Sequence, residues 1–251
     1  MKYTINDPGN GSGNKRVVIV GANGGIGSAL TNLISGQPGC TRLYALSRIP
    51  VRHFGNNVTS LACDTTNEAG IIAAAHAIER EGAVDTVIIA TGKLHGDNPA
   101  VSPEKDWKQL DPLAMAHVFA VNTIGPALVM KHFAPLLPKE GRSVMAALSA
   151  RVGSISDNRL GGWYSYRASK AALNQFIRTF SIELARKRKD AIVLGLHPGT
   201  VATGLSEPFQ SSAYERFTPE QSAEFLLAVI DNANTSMTGK VYDWNGKPVP
   251  E

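Results

Sequence analysis

Tyr166 and Lys170 are the two residues of this 251-residue chain whose types and spacing most directly suggest chemistry. They stand four residues apart in a helix-like segment, so they lie one above the other on a single helix face. A tyrosine hydroxyl has a reference pKa of about 10, and a neighbouring lysine ammonium lowers that pKa by favouring the phenolate. Such a pair can exchange a proton with an alcohol or a carbonyl oxygen, although the spacing alone also arises by chance.

A glycine-rich turn near the N-terminus is the second motif. A strand-like run of β-branched residues leads into Gly-Ala-Asn-Gly-Gly-Ile-Gly, and a helical pattern follows at once. A turn in this position presents backbone N–H groups and a helix N-terminus to an anionic diphosphate. We therefore predict a dinucleotide-binding turn, the alternative being a plain glycine-rich turn. Its predicted contacts are Gly21, Asn23, Gly24, Gly25, Ile26 and Gly27.

Strand-like and helix-like segments alternate along the chain, which predicts a parallel sheet with helices on both faces. Strands are expected near 16–20, 43–46, 58–62, 84–90, 143–148, 191–196 and 240–244. Helices are expected over 25–35, 68–80, most of 106–137, part of 162–189 and 218–232. The expected fold class is α/β, a single Rossmann-type doubly wound domain over residues 15–251 with about seven mainly parallel strands. Residues 1–14 are expected to form a flexible tail.

Composition and charge narrow the class of protein. Hydrophobic content of 43% and charged content of 18% are typical of a globular domain. The basic run 186–189 follows a helical pattern, where cations suit the helix dipole, and no aromatic residues interleave it, so we expect no nucleic-acid partner. Cys40 and Cys63 lack CxxC spacing and predict two reduced thiols in a cytoplasmic protein. No metal site is predicted.

One long apolar segment, residues 112–130, is expected to be a buried helix. It contains His117, Asn122, Thr123 and Pro126, which disfavour a membrane span. A helix that is apolar on most sides packs inside the protein or against a partner subunit. We therefore predict no membrane partner. The polar N-terminal tail likewise lacks the apolar core of a signal peptide.

The glycine turn and the Tyr166/Lys170 pair together resemble the short-chain dehydrogenase/reductase family. The resemblance covers about residues 15–245. Five landmarks stand in the family's order: the glycine turn, Asp64, Asn122, the Tyr166/Lys170 pair and residues 198–203. The run 161–174, Gly-Gly-Trp-Tyr-Ser-Tyr-Arg-Ala-Ser-Lys-Ala-Ala-Leu-Asn, is similar to the C-factor and sniffer-like carbonyl reductase branch. This resemblance implies a nicotinamide cofactor and hydride transfer between that cofactor and a carbonyl or an alcohol.

The resemblance also implies roles for residues elsewhere in the chain. Asp64 resembles the aspartate that holds the adenine amino group, the alternative being a turn residue or a helix cap. Asn122 resembles the asparagine that anchors a proton-relay water, the alternative being a plain buried hydrogen bond. Residues 198–203 resemble the stretch that covers the nicotinamide. Its predicted contacts are Pro198, Gly199, Val201 and Thr203.

The catalytic serine is displaced from the family pattern. That serine normally lies three residues before a glycine, and counting from Gly153 puts Ala150 at its position. Ser149 or Ser154 can take its place, or no serine acts. We predict Ser149, which would donate a hydrogen bond to the substrate oxygen. A one-residue shift along a strand turns the side chain to the opposite face, so this choice requires a bulged strand end.

Two strand ends bear on the cofactor. After the fourth strand the family's Asn-Asn-Ala-Gly is reduced to Thr91 and Gly92, which are the predicted contacts there. After the second strand stand Ser47 and Arg48, where an acidic residue would bind the ribose hydroxyls and disfavour a 2′-phosphate. Arg48 offers a guanidinium fork to a phosphate, and Ser47 a hydroxyl. With further positive charge from residues 52–53, we predict NADP(H) over NAD(H).

These features predict an NADP(H)-dependent carbonyl reductase or alcohol dehydrogenase acting on a small-molecule carbonyl substrate. In the predicted reaction Tyr166 gives a proton to the carbonyl oxygen. Lys170 lowers the pKa of Tyr166 and contacts the nicotinamide ribose. The alternative is a cofactor-binding signalling or regulatory protein with little turnover. The displaced serine, the lost asparagines and the C-factor resemblance motivate that alternative.

Substrate contacts are predicted mainly in a lid over residues 203–218. The predicted lining residues are Pro208, Phe209, Tyr214 and Phe217 of the lid, together with Trp163 and Leu94. The family resemblance also implies a possible homodimer or homotetramer. In that arrangement the apolar helix over 112–130 and the helix that carries Tyr166 pair across a two-fold axis.

Overall fold

The computed structural model describes residues 15–50, 55–97, 99–207 and 216–251. The first half of this chain contains β1 (Lys15–Val20), α1 (Gly25–Ser35), β2 (Cys40–Ser47), β3 (Val58–Ala62), α2 (Glu68–Glu79), β4 (Thr86–Ile89), β5 (Gly96–Asp97) and β6 (Ala100–Val101). The second half contains α3 (Pro112–Phe119), α4 (Gly125–Phe133), β7 (Ser143–Leu148), α5 (Tyr164–Ala185), β8 (Ala191–His197), β9 (Thr200–Val201), β10 (Arg216–Phe217), α6 (Pro219–Asn232) and β11 (Lys240–Asp243).

Seven strands form one sheet in the order β11-β8-β7-β4-β1-β2-β3, and every neighbouring pair is parallel. The predicted doubly wound α/β fold is therefore confirmed. The strand order reverses between β1 and β4, because the chain runs outward from β1 to one edge and then from β4 to the other. Open sheets of this kind bind ligands at such a reversal, outside the carboxyl ends of the strands.

A hydrophobic cluster covers each face of the sheet. One cluster joins the strands to α2, α4 and α5 through residues such as Ile71, Phe133 and Ile177. The other joins them to α1 and α6 through residues such as Leu30 and Leu226. Successive strand residues alternate between the two clusters, and full burial of each large aliphatic side chain contributes about 1.5–3 kcal/mol. The rigid sheet that results fixes the carboxyl ends of β1, β4, β7 and β8 beside one another.

The apolar helix runs from Pro112 to Leu136 with a change of winding in its middle. Among the described residues it is the one helix long and apolar enough, by length and composition, to cross a membrane. It is a core helix, since Val129, Met130 and Phe133 are buried and α4 packs between α2 and α5. The helix begins at Pro112, and Asp111 caps that end by accepting a hydrogen bond from the Ala114 N–H at 2.7 Å.

Two short strand pairs were not predicted. β5 and β6 form a small antiparallel hairpin after β4. β9 and β10 pair in parallel, which joins the two ends of the predicted lid segment. Both lie at the carboxyl edge of the main sheet. The lid residues Pro208, Phe209 and Tyr214, the tail 1–14, and the basic residues Arg52 and His53 lie outside the described residues.

Cys40 and Cys63 are free and buried, as expected of structural thiols. Burial raises the pKa of each thiol to about 11, which keeps both in the unreactive protonated form. The basic run 186–189 follows the end of α5, as its pattern predicted. Within it, the Arg188 guanidinium donates to the carbonyl oxygens of Pro135 and Leu137, both at 3.0 Å.

Candidate active site

Tyr166 and Lys170 occupy the first two turns of α5 and share one helix face, as their spacing predicted. The Lys170 side chain is 2% exposed, and its Nζ donates to the carbonyl oxygen of Leu148 at the end of β7, at 2.8 Å. The same Nζ lies 5.8 Å from the centroid of the Tyr166 ring. The strand end thus fixes the lysine, and the lysine lies beside the phenol.

Burial controls the protonation of this pair. It raises the pKa of Tyr166 to about 12 and lowers the pKa of Lys170 to about 8. The four-residue spacing predicted that the ammonium would lower the tyrosine pKa, but in this structure loss of solvation outweighs that attraction. At neutral pH the phenol therefore carries its proton, and Lys170 is mainly an ammonium. The phenol is in the form that can donate a proton.

Asn122 lies in a π-helical turn, residues 120–124, between α3 and α4. Its Oδ1 accepts from the Lys93 N–H at 2.7 Å, and its Nδ2 donates to the Lys93 carbonyl at 2.8 Å and to Ser169 Oγ at 3.1 Å. π-turns occur often at functional sites, and this one directs a polar side chain out of a helix. Asn122 thereby ties the loop after β4 to α5, and one acceptor position on Oδ1 stays free.

The loop after β7 packs directly on α5. A Cβ added at Gly153 would lie 2.9 Å from the Lys170 carbonyl carbon, so only glycine fits there. This close contact supports the alignment that puts Ala150 at the family serine's position. Ala150 is 8% exposed and offers no hydroxyl.

Both candidate serines use their hydroxyl protons elsewhere. Ser149 Oγ donates to Asn174 Oδ1 at 2.6 Å, one turn beyond Lys170 on α5. Ser154 Oγ accepts from the Asp157 N–H at 3.1 Å and lies 3.4 Å from the carbonyl oxygen of Glu251. Ser149 keeps acceptor capacity, but in this conformation it has no proton to give to a substrate oxygen. Its catalytic role stays a prediction.

The glycine turn forms a cradle between β1 and α1. Gly21 has φ +92°, and a Cβ on Gly27 would lie 2.1 Å from the Gly21 carbonyl oxygen, so α1 approaches the turn as closely as backbone allows. A Cβ on Gly25 would lie 2.6 Å from Thr203 Cγ2, which brings the segment after β8 over the turn. Gly24 and Ile26 complete the turn at the start of α1.

The end of β2 lies against this cradle. Asn23 Nδ2 and Ser47 Oγ both donate to the carbonyl oxygen of Ile49, each at 2.6 Å. Arg48 lies between Ser47 and Ile49 in the chain and is exposed. The hydroxyl proton of Ser47 is used within the turn, so Arg48 is the predicted phosphate contact whose donors stay available.

Asp64 forms a turn after β3. Its Oδ1 accepts from the Thr66 N–H at 2.9 Å and from the Thr66 hydroxyl at 2.8 Å. Burial raises its pKa, but these hydrogen bonds and the charges of Arg48 and His117 outweigh burial and hold the pKa below its usual value. Asn67, not Asp64, caps α2. Asp64 therefore stabilises a turn, and its predicted contact with the adenine stays a prediction.

Thr91 and Gly92 follow β4 at the reversal of strand order. The Thr91 hydroxyl is buried and has no hydrogen-bond partner among the described residues, an expensive state for a polar atom. A Cβ on Gly92 would lie 3.9 Å from both Asn122 Oδ1 and Lys170 Nζ. The two residues therefore lie between the glycine turn and the Tyr166/Lys170 pair, where a bound group can form a hydrogen bond to the Thr91 hydroxyl.

Residues 198–203 fold over the same edge. Pro198 accepts a hydrogen bond from Ser222 at 3.0 Å, and Gly199, at φ +78°, lies on the rings of Phe217 and Trp244. Val201 is buried beside Phe217 in the β9–β10 pair. The Phe217 ring packs edge-on against Trp244, with centroids 4.7 Å apart, so it anchors this segment from below rather than offering a face to a substrate.

Trp163 and Leu94 were the other predicted lining residues. Trp163 meets Tyr166 edge-on, with centroids 6.2 Å apart, whereas Leu94 is only 5% exposed. No sequence motif points to Glu104, a buried carboxylate that hydrogen-bonds to the first turn of α5. The paired glycines before Trp163 are the one signal that could have pointed to an unusual turn at that helix end.

The described geometry brings the glycine cradle, the β4 turn and the Tyr166/Lys170 pair to one edge of a parallel sheet. The short chain dehydrogenase family model matches residues 15–213, so the chain belongs to this family. The predicted family is confirmed.

Three known proteins illustrate the similarity. The 1-hydroxy-2-glutathionyl-2-methyl-3-butene dehydrogenase of Rhodococcus sp. (strain AD45) is 35% identical over 185 residues, which cover 73% of this chain and 76% of that protein. The C-signal protein of Myxococcus xanthus is 33% identical over 141 residues, 56% of this chain and 81% of that one. The crystal structure of NADPH-bound carbonyl reductase from chicken fatty liver has a TM-score of 0.83 at 24% identity, covers 94% of each chain and shares the fold.

Proposed function

We propose that this oxidoreductase is an NADP(H)-dependent carbonyl reductase. The observation that carries the proposal is the protonated Tyr166 phenol beside the buried Lys170, at the carboxyl edge of a sheet whose first turn is a glycine cradle. A proton donor next to a dinucleotide site suits reduction of a carbonyl. The bound nicotinamide would supply the hydride, and the protein would orient it.

Each residue has a defined task in this proposal. Tyr166 donates its proton to the carbonyl oxygen, and Lys170 stabilises the phenolate that is left and contacts the nicotinamide ribose. Asn122 holds the loop after β4 against α5 and offers its free acceptor position to a relay water. Residues that would hold the cofactor are Gly21, Asn23, Gly24, Gly25, Ile26, Gly27, Ser47, Arg48, Asp64, Thr91, Gly92, Pro198, Gly199, Val201 and Thr203.

The residues present fit such a cofactor. A bound ligand could hydrogen-bond to the buried Thr91 hydroxyl, which has no partner among the described residues. Because Gly25 and Gly27 carry no side chain, an anionic group of the ligand could also approach the backbone N–H groups of the turn. Residues 203–218 would close over it as a lid, and the 2.9 Å contact between His95 Nε2 and the Gly204 carbonyl oxygen would hold the start of that segment in place. Tyr166 would then lie beneath the closed segment.

The choice of NADP(H) rests on Arg48, which is exposed. Its neighbours Ser47 and Ile49 are held in place by hydrogen bonds to the Ile49 carbonyl oxygen. The chicken carbonyl reductase with the same fold has NADPH bound. We expect Arg48→Ala to weaken NADPH binding at least tenfold while NADH binding changes less than threefold, because only the 2′-phosphate is lost as a partner. Titration calorimetry with both cofactors measures this, and unchanged NADPH affinity would refute the assignment.

The decisive test of the function is a panel of ketones, aldehydes and quinones with NADPH. We expect turnover in the wild type and a loss of at least 10³-fold in Tyr166→Phe, which keeps the ring and removes the proton. Tyr164→Phe is the matched control, since Tyr164 is a more exposed phenol on the same helix, 38% exposed. Equal turnover in wild type and Tyr166→Phe would sink the proposed role.

A second candidate is a cofactor-binding signalling protein with little turnover. Two observations favour it: Ala150 replaces the family serine, and both neighbouring serine protons are used elsewhere. The similarity to C-signal of Myxococcus xanthus adds to them. Tight NADPH binding with no turnover across the panel would support this candidate over the reductase.

A further inference from the structure

Glu104 is a buried carboxylate that lies outside every motif in the sequence. It follows β6, is 5% exposed, and hydrogen-bonds to Ser165, 61 residues further along the chain. Its Oε2 accepts from the Ser165 N–H at 3.2 Å, and its Oε1 accepts from the Ser165 hydroxyl. Ser165 lies in the first turn of α5, directly before Tyr166.

The chain enters α5 through a left-handed turn. Gly161, Gly162 and Trp163 have φ values of 65°, 66° and 53°, and Trp163 is the only non-glycine residue with a positive φ in the part of the chain that is described. Such a conformation persists only when the surroundings enforce it. Here the Glu104 carbonyl oxygen accepts from the Trp163 N–H at 2.5 Å.

Glu104 therefore supplies the cap that α5 lacks. Trp163 occupies the N-cap position and makes no side-chain cap hydrogen bond. The first N–H groups of a helix need acceptors, and a carboxylate there also meets the positive end of the helix dipole. One residue from a distant segment thus holds both the strained turn and the first turn of the helix.

We propose that Glu104 is a positioning residue for the reaction, acting through Ser165 and Trp163 on Tyr166. The Trp163 ring meets the Tyr166 ring edge-on at 6.2 Å and 79°, so fixing Trp163 fixes one wall beside the phenol. Fixing Ser165 fixes the backbone that carries the phenol. This inference rests on the proposed function of Tyr166 as proton donor.

The size of the effect follows from geometry. Displacing a reacting group by about 1 Å can lower a rate by about 100-fold, although nothing that touches the substrate has been removed. Glu104→Ala removes the carboxylate and keeps the backbone carbonyl. It should therefore release the helix end while the glycine cradle, which lies on other elements, stays intact.

The test compares Glu104→Ala with a matched cap elsewhere. Asn234 Oδ1 accepts from the Ser236 N–H at 3.0 Å and from the Ser236 hydroxyl at 2.6 Å, so here too one side chain binds both the N–H and the hydroxyl of a serine. This cap lies at the amino edge of the sheet, at the opposite end from the Tyr166/Lys170 pair. We expect Glu104→Ala to lower kcat about 10–100-fold with the NADPH Kd within twofold of wild type. Asn234→Ala should leave kcat within twofold. Equal kcat in the two variants would overturn the proposal.

Rescue separates positioning from simple loss of stability. Glu104→Gln keeps an acceptor oxygen of the same reach, so kcat should return to within about threefold of wild type. If Glu104→Ala fails to fold, Ser165→Ala replaces it and should lower kcat about 3–10-fold, since one of the bonds is lost. A Ser165→Ala enzyme with wild-type kcat would count against the proposal.

Hydrogen exchange tests the clamp independently of turnover. We expect the amides of residues 165–170 to exchange at least tenfold faster in Glu104→Ala than in wild type, with α6 unchanged. Unchanged exchange at 165–170 would overturn the clamp even in an active enzyme. If instead no carbonyl is turned over by wild type but exchange rises as expected, the proposed function fails and the clamp at the start of α5 stands.

Discussion

At the scale of single residues, burial rather than charge sets the protonation of the Tyr166/Lys170 pair. Burial raises the pKa of Tyr166 to about 12, which makes the phenol a weaker acid than it is in water, and lowers the pKa of Lys170 to about 8. Both shifts have the same cause, since a poorly solvated site disfavours each charged form. At neutral pH the phenol therefore holds the proton that the proposed reaction would transfer, and the lysine is mainly an ammonium.

The buried ammonium of Lys170 should lower stability fully below about pH 8, and the loss should disappear as pH rises to about 10.5. Its folded pKa is below its unfolded value, so the unfolded state binds more protons between about pH 8 and 10.5, and stability rises with pH there. We expect Lys170→Met to gain on the order of 1–3 kcal/mol relative to wild type at pH 7, with the gain shrinking toward pH 10. Urea unfolding across this range measures it, and a gain independent of pH would contradict the assignment.

Ala150 offers a test by restoring a hydroxyl. If the alignment on Gly153 is right, Ala150→Ser adds a second hydrogen-bond donor for the substrate oxygen and should raise kcat about 10–100-fold for an unactivated ketone. Ala168→Ser, on the exposed face of α5, is the control and should change nothing. A kcat that does not rise in Ala150→Ser would mean that the loop after β7 does not face the reacting carbonyl.

At the scale of elements, the site is built where a strand, a turn and a helix come closest. Gly27 lies so near the Gly21 carbonyl that α1 packs against β1 without a side chain between them. This approach directs the α1 N-terminus at the space over the sheet edge. The same edge receives the turns after β4 and β8.

Gly27→Ala tests this approach directly. The new Cβ would lie 2.1 Å from a backbone oxygen, so α1 must move; we expect about 1–3 kcal/mol lower stability and at least tenfold weaker NADPH binding. Gly36→Ala is the control, because Gly36 has φ −81° and its nearest neighbour would be 3.7 Å away. That variant should be neutral or slightly stabilised. Equal effects of the two substitutions on thermal unfolding and titration would refute the close-approach argument.

At the scale of the whole molecule, α3, the π-turn that follows it and α5 present apolar side chains that the sheet does not cover. Leu113 is 80% exposed, Ile124 51%, Phe176 47% and Ile182 46%. The helix over 112–136 is thus buried on one side and apolar on the other. The predicted homodimer or homotetramer would use this face, because a partner subunit would remove that surface from water.

Phe176→Glu tests the predicted subunit contact. A charge in the centre of an apolar interface would be desolvated without a partner, so we expect the variant to be monomeric at concentrations where wild type is dimeric or tetrameric. Light scattering coupled to size exclusion measures the mass, and Gln175→Glu on the adjacent exposed position is the control. A wild type that is already monomeric would contradict the predicted assembly.

The order of strands and helices and the Tyr166/Lys170 pair could be predicted from the sequence because they depend on local patterns. Period-two and period-3.6 hydrophobic spacing, the glycine turn and helix caps act within a few residues. The segments over 25–35, 58–62 and 143–148 therefore have their predicted ends. The β9–β10 pair was missed because it joins segments that are separated in the chain. The π-turn at 120–124 and the two-residue strands of the β5–β6 hairpin were missed because they are too short to leave a periodic hydrophobic pattern.

The sequence by itself determined the fold class, the family and the place of the Tyr166/Lys170 pair on one helix face, since each depends on residue types at short spacing. Only the tertiary structure decided how those residues are used. Ser149 gives its proton to Asn174, Asn122 binds the backbone of Lys93, and burial reverses the expected pKa shift of Tyr166. These outcomes depend on distances between residues far apart in the chain and on exclusion of water, which local patterns do not encode.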